Sequence, residues 1–134
     1  IKNIETTFEL VEIIDRCYPY KEKRNTHPAK KVFQALRIEV NNEIDVLKSF
    51  LNQTIKVLKP GGRIVILTYH SLEDRLVKNF FKSGNIEGKI EKDFFGKVNT
   101  PFRLINNKVI VASEDEVARN PRARSAKLRI AEKI

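Results

Sequence analysis

Cysteine occurs once, at Cys17, and methionine and tryptophan are missing altogether. One thiol cannot close an internal disulfide, which suits a reducing cytoplasm and leaves Cys17, set in a helical pattern, as a small buried hydrophobe. Histidine is nearly as scarce: His27 and His70, with that cysteine, show no metal-ligand spacing, and no metal is expected. No run approaches the ~18 apolar residues of a membrane span, and no signal-peptide core is present. Glycine-rich fingerprints are also missing. The pair Gly61-Gly62 precedes an apolar strand rather than following one, the wrong side for cradling a phosphate or a cofactor. Carboxylates are in short supply too, 17 Asp and Glu against 26 Lys and Arg, for a net charge of +9. Such an excess favours an anionic partner, nucleic acid ahead of a membrane surface. The plain alternative is a basic soluble protein.

What is present is one domain's worth of ordinary globular sequence, 134 residues with 41% hydrophobic and 32% charged side chains. A chain of that size can bury roughly two-thirds of its unfolded surface. Thr6 or Thr7 can cap a short helix with Phe8, Leu10, Val11 and Ile14 on its apolar side, and residues 19–28 (PYKEKRNTHP) read as a polar, basic loop. Phe33, Leu36, Val40, Ile44, Leu47, Leu51, Ile55 and Leu58 then recur every three or four residues, which predicts one amphipathic helix of about seven turns. Pro60 and the glycine pair end it, and Arg63 to Tyr69 (RIVILTY) follow as a strand. Its core, Ile64-Val-Ile-Leu67, lacks alternation and is therefore expected to be covered on both faces, as parallel central strands are. Ser71 with Asp74 reads as a capping box opening a helix whose stripe is Leu72, Leu76 and Phe80. Residues 83–97 are glycine-dotted, charged and loop-like. Residues 102–105 and 109–111 flank Asn106-Asn107-Lys108 and are either a hairpin or one irregular strand. Ser113 with Glu116 caps a short helix stopped at Asn120-Pro121, and Ala126, Leu128 and Ile130 alternate with Lys127 and Arg129 as a half-buried strand near the sheet edge.

Three constellations could carry chemistry. The apolar strand delivers His70-Ser71-Leu72-Glu73-Asp74-Arg75 to its C-terminal end, where ligands sit in open α/β sheets. These residues form either a substrate site, with Arg75 open to a phosphate, or simply a capped helix start with favourable charges. A Ser/His nucleophilic pair is disfavoured, because adjacent residues point apart and no third group is evident. Asn120-Pro-Arg-Ala-Arg-Ser125 offers Arg122 and Arg124 to a phosphate backbone, or is a solvated turn. On the long helix, Arg37 and Asn41 flank the apolar stripe, where asparagine can read base edges and arginine can hold phosphate or stack, or where both merely border a core.

Taken together, His27-Pro-Ala29, Phe33-Gln-Ala-Leu-Arg-Ile38, Val40-Asn41, Glu43, Leu58-Lys-Pro-Gly-Gly-Arg63, His70-Ser-Leu-Glu-Asp-Arg75, Asn120-Pro-Arg-Ala-Arg-Ser-Ala-Lys-Leu-Arg129 and Ala131-Glu132 resemble the RsmH (MraW) family. The blocks stand in family order and span nearly the whole chain. That family comprises bacterial enzymes that methylate the exocyclic amine of a cytidine in small-subunit (16S) ribosomal RNA, using S-adenosylmethionine. One departure is local: the family's Lys-Pro-Ile-x-Pro-Ser appears as Lys108-Val-Ile-Val-Ala-Ser113, both prolines replaced. The other is extent. The chain opens on Ile1, and the family's glycine-rich cofactor motif lies N-terminal to it, so a C-terminal portion is expected.

The resemblance implies an α/β fold, the C-terminal half of a class I (Rossmann-like) S-adenosylmethionine-dependent methyltransferase. Residues 1–26 would be the tail of an inserted helical substrate-recognition domain, and residues 27–134 the C-terminal part of the methyltransferase domain. In the family's strand order 3-2-1-4-5-7-6, the strands here would be 5, 6 and 7. His70, Ser71 and Glu73 would line the catalytic pocket, Arg37, Asn41, Arg75, Arg122 and Arg124 would hold RNA, and no cofactor-binding residue is expected in this chain. The partner would be small-subunit ribosomal RNA or the ribosomal subunit, in the cytoplasm and away from membranes. Catalysis would rest on positioning an unstacked base rather than on a strong general base. Without strand 4, the Ile64–Leu67 strand would show an unpaired edge, a template for homo-oligomers, and this piece alone is expected to be inactive. The competing reading is a non-catalytic basic RNA-binding module or a degenerate paralogue.

Overall fold

The computed structural model describes residues 3–18, 27–96 and 98–134; residues 19–26 of the expected polar loop, and Lys97 of the later one, lie outside them. The chain divides into two compact units, Ile1–Glu43 and Ile44–Ile134.

In the first unit, helix α1 (Thr7–Cys17) starts at Thr6, whose hydroxyl accepts from the Glu9 N–H while the Glu9 carboxylate accepts from the Thr6 N–H. Reciprocal capping of this kind satisfies two otherwise orphaned donors. Helix α1 packs on α2 (Ala29–Val40), with Ile14 and Ala29 buried. Cys17 is exposed rather than buried: it is the last residue of α1, three past the buried Ile14.

The single long helix expected from the apolar spacing is two helices. Helix α2 closes where the Asn41 N–H donates to the Arg37 carbonyl, and Asn42 takes φ +51° before α3 (Glu43–Val57) begins. Asparagine is one of the few non-glycine residues that tolerates this left-handed conformation. The stripe divides accordingly: Leu51 is fully buried with Leu47, Ile55 and Leu58 packed nearby, whereas Leu36 and Val40 are exposed.

The second unit is built around a small antiparallel sheet. Strand β1 (Arg63–Thr68) leads into α4 (Ser71–Ser83); then come β2 (Phe102–Leu104), β3 (Ile110–Val111), α5 (Glu114–Arg119), a 3-10 turn over Pro121–Ser125 and β4 (Lys127–Lys133). The strand order is β1-β4-β2, with β3 also paired to β4. Both short strands run antiparallel to β4, one at each end, so residues 102–111 are one interrupted strand rather than a hairpin. Strand β4 thus lies in the middle of the sheet, not near its edge, and β1 is outermost. Partners that far apart in sequence leave no local signal of which strand is central.

The expected two-sided cover of β1 is also corrected. Ile64, Ile66 and Thr68 are buried while Arg63, Val65 and Leu67 are exposed, the alternation of a strand covered on one face. The covered face meets Leu51, Val77, Phe80, Phe81, Phe102 and Ala131. Phe102 stands tilted against both phenylalanines, 5.6 Å from Phe80 and 5.7 Å from Phe81, a favoured aromatic geometry. The inward face of α4 is Asp74, Val77, Phe80 and Phe81 with Leu76 packed beside it; of the expected Leu72-Leu76-Phe80 stripe only Leu72 falls away, half exposed, since a spacing of four drifts around a 3.6-residue turn. Gly84 ends α4 at φ +73°, its N–H donating to the Phe80 carbonyl. Among the described residues, no helix is long and apolar enough to cross a membrane.

Candidate functional site

The turn from β1 into α4 is closed by its own side chains. His70, not Ser71, is the N-cap: its Nδ1 accepts from the Glu73 N–H at 3.4 Å. The Glu73 carboxylate in turn accepts from the N–H groups of Tyr69 at 3.0 Å and His70 at 3.3 Å. His70 Nε2 lies 3.3 Å from the other Glu73 oxygen, and both side chains are largely covered. With Nδ1 accepting, a neutral His70 carries its proton on Nε2. Ser71 is exposed on the same first turn. His70, Ser71 and Glu73 are therefore brought together at the C-terminal end of β1. The bonding of His70 with Glu73 closes the start of α4.

Asp74 does not belong to the cap. It is buried and accepts from Arg129 twice, Nε at 2.7 Å and Nη2 at 3.1 Å, with Lys127 Nζ at 3.4 Å. Burial by itself would raise its carboxyl, but the hydrogen bonds and charge of Arg129, and then Lys127, hold it below the usual carboxylate range. The pair ties the first turn of α4 to the middle strand, so it fixes where His70 and Glu73 stand. Sequence reading missed it. Alternation along the strand sets Arg129 on its polar side, and only the register with Ile66 turns that side to the core, so no local signal marked the pair.

Arg75 is exposed on α4, and Arg122 and Arg124 are exposed on the 3-10 turn, where Asn120 Oδ1 accepts from the Arg122 N–H at 3.3 Å. Arg37 and Asn41 belong to the first unit. There Arg37 grips Glu43 with two bonds, Nε at 2.7 Å and Nη2 at 3.1 Å, and Asn41 Nδ2 reaches the same carboxylate at 3.5 Å. A planar fork of this sort is geometrically specific, and it engages Arg37 with a carboxylate in the chain itself.

The MraW methylase family profile matches residues 1–134. A protein named ribosomal RNA small subunit methyltransferase H from Parabacteroides distasonis is 62% identical over 133 residues, covering 99% of this chain and 43% of the relative. Proteins of the same name from Phocaeicola vulgatus and Bacteroides fragilis are each 60% identical, again covering 43% of the relative. The chain thus spans less than half the length of the curated relatives it matches.

Proposed function

This chain belongs to the MraW methylase family, and we propose that it is the substrate-side, C-terminal portion of an rRNA methyltransferase that transfers a methyl group from S-adenosylmethionine to the exocyclic amine of a cytidine in small-subunit ribosomal RNA. The observation that carries the reading is 62% identity, across 99% of the chain, to a protein named for that class of reaction. The strand order β1-β4-β2 supports it, being that of strands 5-7-6 in a class I methyltransferase sheet. On this reading residues 1–26 close an inserted helical domain and residues 27–134 complete the methyltransferase domain, working in the cytoplasm.

The turn after β1 does not fit the methyl donor. The N–H groups of Tyr69, His70 and Glu73 at the turn after β1 are already taken by the Glu73 carboxylate and His70 Nδ1. That leaves no backbone cradle of the kind a glycine-rich loop provides. Donor binding is assigned to residues outside this chain, and the work of these residues lies with the RNA. His70 and Glu73 orient the target, Ser71 offers a hydroxyl beside it, and Arg75, Arg122 and Arg124 hold phosphates. In the first unit, Arg37 and Asn41 hold RNA where it competes with Glu43.

The test is methylation of small ribosomal subunits by the full-length protein with methyl-labelled donor, followed by mapping of the label. Label on a cytidine exocyclic amine is expected, with His70→Ala and Glu73→Gln each slowing transfer by about a hundredfold through misplacement of the target. Label on a ring carbon, or none, would overturn the reading. In calorimetry the 134-residue chain alone is expected to take up no S-adenosylmethionine; micromolar binding would reassign the His70 turn to the donor.

A further inference from the structure

The bare face of the sheet ends in a cavity that the His70 turn does not use. Register pairs Val65 with Ile130, Leu67 with Leu128 and Ile110 with Leu128. Because Ile64 and Ile66 point into the core, these side chains share the face away from it. Toward the C-terminal end of β1 the face sinks into a cavity of about 240 Å³, lined by Leu67, Ile110 and Val111 and by Tyr69, Asn120 and Arg122. That is under the roughly 300 Å³ at which drug-sized ligand sites begin, room for one base rather than two.

The chain that runs along one side of it is basic. Residues 119–129 (RNPRARSAKLR) hold five cationic side chains and no carboxylate. Lys127 and Arg129 are spent on Asp74, while Arg122 and Arg124 are exposed. Glu116 also lines the cavity. Its carboxylate repels a phosphate from the cavity itself but accepts from an amino group on a base edge. An apolar slot with one half-exposed tyrosine, bordered by Arg122 with Arg124 on the same turn, is the arrangement by which unpaired bases are stacked while their backbone is neutralised.

We infer that this cavity takes one unpaired nucleotide of the RNA, its base against Tyr69 and its phosphates on Arg122 and Arg124. The inference rests on the reading above for RNA as partner, but not on methyl transfer.

It is tested by fluorescence anisotropy of the full-length protein with a short unstructured RNA, native and fully abasic. Tyr69→Ala is expected to weaken the native RNA about tenfold and the abasic RNA not at all, with Tyr69→Phe restoring affinity. Arg122→Ala should lower the slope of log affinity against log salt by about 0.7. A fluorescent adenine analogue in the RNA should be quenched by the unaltered protein, a readout that needs no variant. Unchanged affinity in Tyr69→Ala, or equal losses on native and abasic RNA, would overturn the inference. Tyr69-dependent binding without methyl transfer would leave it standing while the enzymatic reading fails.

Discussion

Asp74 is where a single side chain decides most. Its carboxylate is buried against Arg129, whose own side chain is largely covered, so removing Asp74 leaves the Arg129 guanidinium covered and without its carboxylate. Asp74→Ala is expected to cost about 3 kcal/mol, the scale for breaking a buried pair, read from the urea midpoint. The acid dependence follows in sign. The folded carboxyl lies below its ordinary value, so its contribution is fully present above that value and is lost as pH falls through the lower, folded one. Glu132, held by Arg63 and then Arg103 across three strands, is depressed in the same direction. Asp74→Asn should therefore flatten the acid limb of stability without abolishing it. An unchanged limb would mean that Asp74 titrates alike in both states.

At the scale of elements, the two positive-φ glycines flanking β1 and α4 separate conformational strain from steric exclusion. Gly61 sits at φ +79° with open space where a Cβ would go; Gly84 sits at φ +73° with Pro101 Cδ only 2.3 Å from that point. Gly61→Ala is expected to cost about 1 kcal/mol. Gly84→Ala should cost clearly more, because the Gly84 turn seats Pro101 just before β2. Equal thermal shifts would show that Pro101 moves aside. These elements were legible in the sequence wherever one period governed them: β1, the glycine turn before it, α4 and the Ser113 cap all lie close to where their patterns put them. The rest failed for physical reasons. Val40 to Ile44 is a spacing of four whether or not Asn42 turns left-handed, so the stripe could not reveal the break. Ser71-x-x-Asp74 and His70-x-x-Glu73 have the same spacing, and histidine is not among the usual N-caps, so the cap was read one residue late and Asp74 was taken from its real partner. The site was legible as a location, the polar end of β1. Its wiring depends on Arg129, 55 residues away, and on Tyr69, whose exposure is set by a face no local pattern describes.

For the molecule as a whole, the edge position of β1 matters more than any single contact. Among the described residues its one strand neighbour is β4, so its other side offers a row of unpaired N–H and C=O groups beside exposed Val65 and Leu67. Beyond Arg63, which pairs with Glu132 at the start of β1, the edge is apolar and free of proline, a template for strand addition. The net charge of +9 opposes self-association at long range, but that repulsion is screened within about 8 Å at physiological salt, whereas edge pairing acts at contact. The two effects predict opposite salt responses for two properties of the same chain. Sedimentation velocity of the isolated chain should show self-association that strengthens as salt is raised, while its affinity for RNA weakens over the same range through loss of counterion release. Val65→Lys, which sets a charge on the bare face of the edge strand, should return the chain to monomer at every salt concentration and leave the RNA slope unchanged. A wild-type chain that stays monomeric in high salt would show that the β1 edge is not a pairing surface. Self-association that weakens with salt would show that ion pairs, not the edge, hold the copies together.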